Sequence, residues 1–249
     1  MSNLKHTAAI ILAAGKGSRM HAKLKNKVAF VLDGQPMVAR AATNLRLAGV
    51  GQIIAVVGFA ADSVKKALGD QVTYVTQSEQ LGTGHAIKTA LPAMAPEMTT
   101  VLSVYGDDSA FYPATLYESM IHKLIESGSG LLFLTIIKED PFGLGRIIRD
   151  NVGNVLRIVE EKNATEKEKQ IQEINTGFYC FKRDFLEKYI CEITQNEISG
   201  EYYLTDLVEI ALKHGEKVDT YRADSNLWHG VNNRSDFAKA RVKISKNYE

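Results

Sequence analysis

Two glycines and two cations follow the first apolar run of the sequence, in the segment Leu12-Ala13-Ala14-Gly15-Lys16-Gly17-Ser18-Arg19-Met20. Glycine permits positive φ and lets backbone N–H groups surround a phosphate chain. A P-loop would need its lysine directly before Ser or Thr, and the dinucleotide fingerprint would need Gly or Ala where Met20 stands. An ordinary strand-to-helix turn would use the glycines without needing Lys16 and Arg19. The pattern therefore favours a phosphate-binding loop over a plain turn.

A carboxylate stands at the end of a second apolar run, where Asp107 follows Val101-Leu102-Ser103-Val104-Tyr105-Gly106. Mg²⁺ prefers one or two hard protein oxygens and fills its other positions with water and phosphate oxygens. The alternative is a capping role for Asp107, which Asp108 or Ser109 could fill equally well. Beside a phosphate-binding loop, the metal-ligand interpretation is favoured.

Apolar runs of strand length alternate with amphipathic stretches through the first half of the chain. Strands are predicted over 7–14, 52–57, 72–76, 100–105 and 130–137, and helices over 36–50, 62–68, from about 83, and over 113–127. This alternation predicts an α/β fold, with a Rossmann-like, mostly parallel sheet and helices on both faces. The loops at Gly15, Gln77 and Asp107 all follow strands, so we expect them at one sheet edge, where such folds bind ligands.

The second half is more mixed. Short strands are predicted over 146–148, 155–159 and 177–181, with helices after Arg183, Thr205 and Arg234. We interpret this half as an extension of the same sheet that carries a substrate-binding lobe. The charged stretch 160–173 is expected to be a solvated helix of alternating signs. One domain is predicted over 1–249, with nucleotide binding in about 1–110 and acceptor binding in about 111–249.

The amino-acid composition limits the kinds of binding partner that this protein can have. Thirty basic against 29 acidic residues give a net charge of +1, which argues against a nucleic-acid partner. Cys180 and Cys191 have neither metal-ligand spacing nor disulfide density, so we expect reduced thiols. The apolar run near the N-terminus is too short to span a membrane and continues into the glycine loop, unlike a signal peptide. We therefore expect no membrane partner, and we expect the protein to be cytoplasmic.

Eight segments, in order along the chain from about Ala8 to Ala240, carry a family resemblance. They are LAAGKGSRM (12–20), QSEQLGTGHA (77–86), YGD (105–107), GRI (145–147), IVEEKNA (158–164), QEINTGF (172–178), EYYLTD (201–206) and GVNNR (230–234). Together they resemble the N-terminal uridylyltransferase domain of the bacterial bifunctional enzyme that makes UDP-N-acetylglucosamine, within the sugar-phosphate nucleotidyltransferases.

The resemblance implies Mg²⁺-dependent transfer of a uridylyl group from UTP to a sugar 1-phosphate, N-acetylglucosamine 1-phosphate or a related one, with release of pyrophosphate. It implies nucleotide binding by the 12–17 backbone, and pyrimidine contacts from Gln77, Gly82 and Thr83. The residues implied for phosphate and metal are Arg19 and Lys27 for the phosphates, and Asp107 and Asn232 for Mg²⁺. Those implied for the acceptor pocket are Gly145, Glu160, Asn175, Tyr203 and Thr205.

The implied chemistry needs no general base, because the attacking phosphate oxygen is already ionised at neutral pH. Catalysis would consist of positioning and charge stabilisation. We accordingly expect His85 to be a packing residue at a helix start rather than a proton shuttle.

Three departures from the family pattern are present. The segment Leu24-Lys25-Asn26 precedes Lys27 where the family usually has Leu-Pro, so Lys25 could take over the role of Lys27. Asp108 follows Asp107 where a small apolar residue is usual, and its charge should either recruit a second cation or bind the acceptor. Leu144 stands where a tyrosine is usual. The nucleotide side is intact, whereas the acceptor side is open to change.

The β-helix acetyltransferase half of the bifunctional enzymes is not expected, nor the trimer that it mediates, and the oligomeric state is left open. Two alternatives remain. One keeps the fold but uses CTP or a different phosphorylated small molecule. The other is a non-catalytic nucleotide sensor, against which the retained Arg19, Asp107 and Asn232 argue.

Overall fold

The computed structural model describes residues 2–17, 24–231 and 233–246. Over these ranges the strands are β1 (Thr7–Ala13), β2 (Val31–Leu32), β3 (Gln35–Pro36), β4 (Gln52–Val57), β5 (Thr73–Thr76), β6 (Thr100–Tyr105), β7 (Leu131–Ile137), β8 (Gly145–Arg149), β9 (Val155–Val159), β10 (Glu173–Lys182) and β11 (Val218–Arg222). The α-helices are α1 (Ser2–Lys5), α2 (Met37–Leu47), α3 (Ala61–Leu68), α4 (Thr83–Ala90), α5 (Ala114–Ser127), α6 (Glu166–Lys169), α7 (Arg183–Tyr189), α8 (Asp206–Lys213) and α9 (Arg234–Lys246).

Most of these strands form one sheet. Its main path runs β11-β7-β10-β6-β1-β4-β5, with β8 and β9 attached beside β10. β1 pairs in parallel with both β4 and β6, whereas β10 runs antiparallel to β6 and β7. The mostly parallel α/β sheet predicted from the sequence is confirmed. Its one reversed strand in the main path, β10, brings a segment of the second half alongside β6.

Strand β1 is apolar at nearly every position because it is covered on both faces. Ala9 and Ile11 pack into one core cluster with helices α2, α3 and α5, whereas Ala8 and Ile10 pack into another with α4, α7 and α8. All four side chains are fully buried. A smaller third cluster joins α9 to β2. None of the described helices combines the length and apolar character needed to cross a membrane.

The prediction of a helix over 160–173 is wrong. Only the four residues of α6 are α-helical there, and Glu173 already begins β10. Two acidic residues of this stretch pair with arginines of neighbouring strands, Glu168 with Arg157 and Glu173 with Arg149, while one pair, Glu166 with Lys169, lies along α6 itself. Strand β11 also lies in a stretch for which the sequence predicted no strand.

A bulge interrupts β10 beside the sheet edge that carries the predicted site. The pairing of β10 with β7 shifts register between Asn175 and Tyr179. Within this bulge Gly177 has φ of +79°, and a Cβ added there would overlap the ring of Tyr105. Only glycine satisfies both the positive φ and the close approach, so Gly177 fixes the path of β10 past the end of β6.

Replacing Gly177 with alanine is expected to lower the free energy of unfolding by at least about 2 kcal/mol, because it adds a steric clash to the strain of positive φ. The matched control is Gly215→Ala, at φ +70° with nothing within 4 Å of the added Cβ. That change should cost only about 1 kcal/mol. Urea unfolding of both variants measures the difference, and equal losses would contradict the clash at Gly177.

Candidate active site

Two cavities open side by side at the carboxyl ends of β1 and β6. The first has a volume of about 310 Å³ and the second about 270 Å³. Both are lined by Lys27, Tyr105 and Asp107, so these three residues form the junction between the cavities. The sheet topology predicted that the loops at Gly15, Gln77 and Asp107 converge, and all three residues line the first cavity. Its other lining residues include Leu12, Ala13, Ala14, Gly17, Gly82 and Thr83.

The glycine loop is held in place by the side chain of Asn26. This amide is 1% exposed. Its Nδ2 donates to the carbonyl oxygens of Ala13 at 2.9 Å, Phe59 at 2.8 Å and Gly15 at 3.2 Å, and its Oδ1 accepts from the backbone N–H of Val28 at 3.1 Å. One side chain therefore fixes both the loop after β1 and the short 3₁₀ turn that carries Lys27.

Lys27 pairs with Asp107 at the junction. The Lys27 ammonium contacts Oδ2 of Asp107, and the two side chains are 19% and 6% exposed. Asp107 Oδ1 makes no hydrogen bond to the described residues and is left for another ligand. The neighbouring Lys25 lies elsewhere, with its Nζ 5.7 Å from the centre of the Phe30 ring. Of the two lysines, the structure places Lys27 in the cavity walls.

The far end of the first cavity carries the side chain of Gln77, which is 3% exposed. Its Nε2 donates to the carbonyl oxygen of Gly82 at 3.1 Å and lies 2.9 Å from Nδ1 of His85. Its Oε1 makes no hydrogen bond to the described residues. His85 lies in the first turn of α4, near the helix start as expected, but it also has a polar contact that the packing interpretation did not include.

The loop that precedes α4 is tied to the segment 202–204. The backbone N–H of Gly84 donates to the carbonyl of Tyr202 at 2.8 Å, and Thr83 Oγ1 accepts from the N–H of Leu204 at 3.0 Å. Gly82 has φ of +98°, and a Cβ there would lie 2.7 Å from the Tyr202 carbonyl oxygen. The wall of the first cavity is therefore built partly from the second half of the chain.

The second cavity contains Gly145, Glu160 and Asn175, together with Asp108 and Leu144. Asn175 Oδ1 accepts from the N–H of Gly177 at 3.0 Å, and its Nδ2 donates to the Tyr179 hydroxyl at 2.6 Å. The second amide hydrogen of Asn175 has no hydrogen-bond partner among the described residues.

Glu160 is a half-buried carboxylate in the lining of the second cavity. Burial raises the pKa of Glu160, and the charge of Asp206 raises it further, while a hydrogen bond from Thr205 opposes the shift. Thr205 thus reaches the cavity through Glu160 and is itself 8% exposed. Tyr203 is not among the residues described as lining either cavity.

Asp108 is engaged with the segment before residue 232. Its Oδ2 accepts from the indole Nε1 of Trp228 at 3.2 Å, and its Oδ1 accepts from the N–H of Val231 at 3.3 Å. Burial raises the pKa of Asp108, the charge of Asp107 raises it further, and Lys27 opposes the shift. The extra carboxylate therefore anchors a neighbouring loop, a role that neither sequence-based interpretation of Asp108 included.

Arg19 and Asn232, predicted to bind phosphate and metal, lie outside the described residues. Lys16 is exposed and is not among the described lining residues of the first cavity. Sequence reasoning missed Asn26 and Trp228. A signal existed for Asn26, since asparagine commonly caps a helical turn, whereas Trp228 meets Asp108 from 120 residues away and has no local signal.

Comparison with known proteins identifies the family of the chain. Residues 8–247 match the family model described as nucleotidyl transferase. The chain belongs to the nucleotidyl transferase family. Similar proteins include the "Bifunctional protein GlmU" of Exiguobacterium sibiricum, 41% identical over 239 residues, and that of Limosilactobacillus fermentum, 43% identical over 239 residues. The alignments cover 96% of this chain and 53% and 52% of those proteins. The chain spans about half the length of the curated relatives it matches, and the family resemblance stated from the eight segments is confirmed.

A solved structure shares the fold. The crystal structure of a Bacillus anthracis protein assigned as a glucose-1-phosphate thymidylyltransferase, in complex with sucrose, has a TM-score of 0.77 and 21% sequence identity. The similarity covers 95% of this chain and 94% of that one.

Replacing Asn26 with aspartate is expected to lower the free energy of unfolding by about 2 kcal/mol, because a carboxylate would face three carbonyl oxygens where the amide donates. Asn151→Asp, which adds the same charge at an exposed turn position, should leave the free energy nearly unchanged. Urea unfolding at neutral pH compares the two, and equal values would contradict the role assigned to the Asn26 amide.

Asp206 predicts a pH effect on stability. Burial, with a smaller contribution from Glu209, raises its pKa from the ordinary 3.8 to about 6. Because the folded-state pKa is the higher one, this stabilising contribution is present below about pH 4 and is lost as the pH rises through 6. Asp206→Asn should therefore be more stable than the native protein at pH 8, by about 1 kcal/mol after allowance for solvent screening, and equal to it near pH 4. Asp70→Asn, at an exposed turn position, is the control, and a gain of the same size at both pH values for Asp206→Asn would contradict the account.

Proposed function

We propose that this chain catalyses Mg²⁺-dependent transfer of a uridylyl group from UTP to a sugar 1-phosphate, with release of pyrophosphate. One observation carries the proposal: two cavities of small-molecule size share a junction made of Lys27, Tyr105 and Asp107. A transferase that acts on two bound substrates needs such a junction, because the reacting atoms must approach each other between the two sites.

The preference for a uracil base follows from Gln77. Both hydrogens of its amide are directed at partners within the protein, so its Oε1 is the group left for a base. Uracil offers an N–H at position 3, which donates to such an oxygen. Cytosine has a lone pair at the same position and would oppose it. This argument supports UTP over CTP as the donor substrate.

Mg²⁺ fits Oδ1 of Asp107, which makes no hydrogen bond to the residues that the structure describes. A magnesium site commonly uses one or two carboxylates and completes its coordination with water and phosphate oxygens. Asp107 is 4% exposed and lies where both cavities meet. When bound there, Mg²⁺ would neutralise phosphate charge. Asn232 is proposed as the second protein ligand on the family resemblance alone.

The transfer itself is a single displacement at phosphorus. An oxygen of the acceptor phosphate forms a bond to the α-phosphorus of UTP, while the bond between that phosphorus and the bridging oxygen of pyrophosphate breaks. The residues of the chain position the two substrates, and the Lys27 ammonium stabilises negative charge on the phosphates. Arg19 is proposed for the same task on the nucleotide side.

The acceptor is assigned to the second cavity. A carboxylate at Glu160, an amide hydrogen at Asn175 and the glycine backbone at Gly145 offer hydrogen-bonding groups that suit the hydroxyl and acetamido groups of a sugar. N-acetylglucosamine 1-phosphate is the acceptor we favour, since it is the acceptor implied by the family resemblance. Asp108 and Leu144, which depart from that pattern, both line this cavity.

A screen of pyrophosphate release tests the proposal. Purified protein with Mg²⁺ is assayed with each of four nucleoside triphosphates against a panel of sugar 1-phosphates and other phosphorylated metabolites. Release with UTP and N-acetylglucosamine 1-phosphate is the expected result. Release only with CTP, or only with a non-sugar phosphate, would overturn the assignment, and absence of release with every pair would favour a sensor.

Replacing Lys27 with alanine is expected to lower kcat/KM by about 10²-fold or more, because it removes a preorganised charge beside the reacting phosphates. Lys25→Ala is the matched control. It removes an identical side chain two residues away that lies against Phe30, and kcat/KM should change by less than about threefold. Steady-state kinetics on both variants, with melting temperatures to verify folding, make the comparison. A larger loss from Lys25→Ala would contradict the assignment.

A further inference from the structure

We infer that His85 is a positioning residue that fixes the amide orientation of Gln77, and through it the selectivity for a base that carries N–H at position 3. The inference rests on the proposed use of UTP. It assigns a task to a residue that does not line the first cavity and has no part in the phosphate chemistry.

The carbonyl of Gly82 sets the first constraint. A carbonyl oxygen can only accept a hydrogen bond, so the Gln77 atom that lies 3.1 Å from it must be the amide nitrogen. The carbonyl also accepts a hydrogen bond from the N–H of Ala86 at 3.1 Å, and Gly82 itself has φ of +98° with no space for a side chain against Tyr202.

His85 supplies the second constraint. The same amide nitrogen lies 2.9 Å from Nδ1 of His85. Since one of its hydrogens faces Gly82, the other is directed at the imidazole, and Nδ1 must accept it with a lone pair. The imidazole proton therefore belongs on Nε2. The ring is half-buried and also borders a separate cavity that Leu81, Ile193 and Tyr202 help to line. The Nε2–H can therefore be hydrogen-bonded from that cavity.

The two constraints together leave Oε1 as the group offered to the nucleotide. Rotating the amide by half a turn would place Oε1 against the Gly82 carbonyl, which is a repulsive contact, and against Nδ1, which could bond to it only if the imidazole proton moved from Nε2 to Nδ1. It would also offer N–H groups to the base, which suits the lone pair at position 3 of cytosine. His85 thus adds a second penalty to the orientation that cytosine requires.

The test compares two substitutions of His85. His85→Phe keeps a ring beside Tyr202 but removes the acceptor. His85→Asn restores an acceptor, because its Oδ1 is attached to Cγ as Nδ1 is. For His85→Phe we expect the ratio of kcat/KM with UTP to kcat/KM with CTP to fall about fivefold, as for the loss of one hydrogen bond. The change should appear in KM for UTP and leave kcat within about twofold. His85→Asn should return the ratio to within about twofold of the native value.

The outcomes separate this inference from the proposed function. Failure of the native protein to use UTP would overturn the proposed function. Use of UTP by the native protein with an unchanged ratio in His85→Phe, or an equal loss with both nucleotides, would overturn the positioning role. The tautomer gives a measurement that needs no variant: nitrogen NMR of histidine-labelled protein should show the His85 proton on Nε2, and a proton on Nδ1 at neutral pH would overturn the inference.

Discussion

The ion pair between Lys27 and Asp107 is the contact on which the rest of the site depends. Asp107 is almost completely buried at the end of β6, and a buried carboxylate requires a compensating charge. Lys27 supplies that charge from a short turn that Asn26 ties to the glycine loop. The pair therefore locks three separate segments together. It also forms the wall shared by both cavities, which is where the α-phosphorus of a nucleotidyl group passing between two substrates would have to lie.

The second cavity is built by long-range contacts instead of local motifs. The two carboxylate oxygens of Asp108 accept hydrogen bonds from Trp228 and Val231. The bulge at Gly177 brings Asn175 to the cavity. Asp108 thus anchors the loop leading to residue 232, and its contact with a cation or with the acceptor stays a prediction. A substitution of Asp108 can accordingly alter the second cavity through the loop as well as by direct contact.

The parts of the fold that the sequence predicted are those governed by local pattern. Strands β1, β4 and β6 are continuous apolar runs because they are covered on both faces, and the loops that follow parallel strands meet at one edge. The helix predicted over 160–173 is wrong because Glu168 and Glu173 pair with arginines of neighbouring strands, which helical periodicity does not reveal. The contacts of Asn26 with Phe59 and of Asp108 with Trp228 join residues that are close only in the folded chain. The polar contact of His85 with Gln77 spans a loop whose shape depends on Gly82 and Tyr202, so the motif contained both residues without revealing their relation.

The crystal structure of this protein with bound UDP-N-acetylglucosamine and Mg²⁺ tests the central claim most directly. The account predicts the uracil against Gln77 in the first cavity, the sugar in the second, and the phosphate chain crossing between them beside Lys27 and Asp107. A nucleotide whose phosphates lie away from that junction, or a nucleotide and sugar that occupy the same cavity, would contradict it.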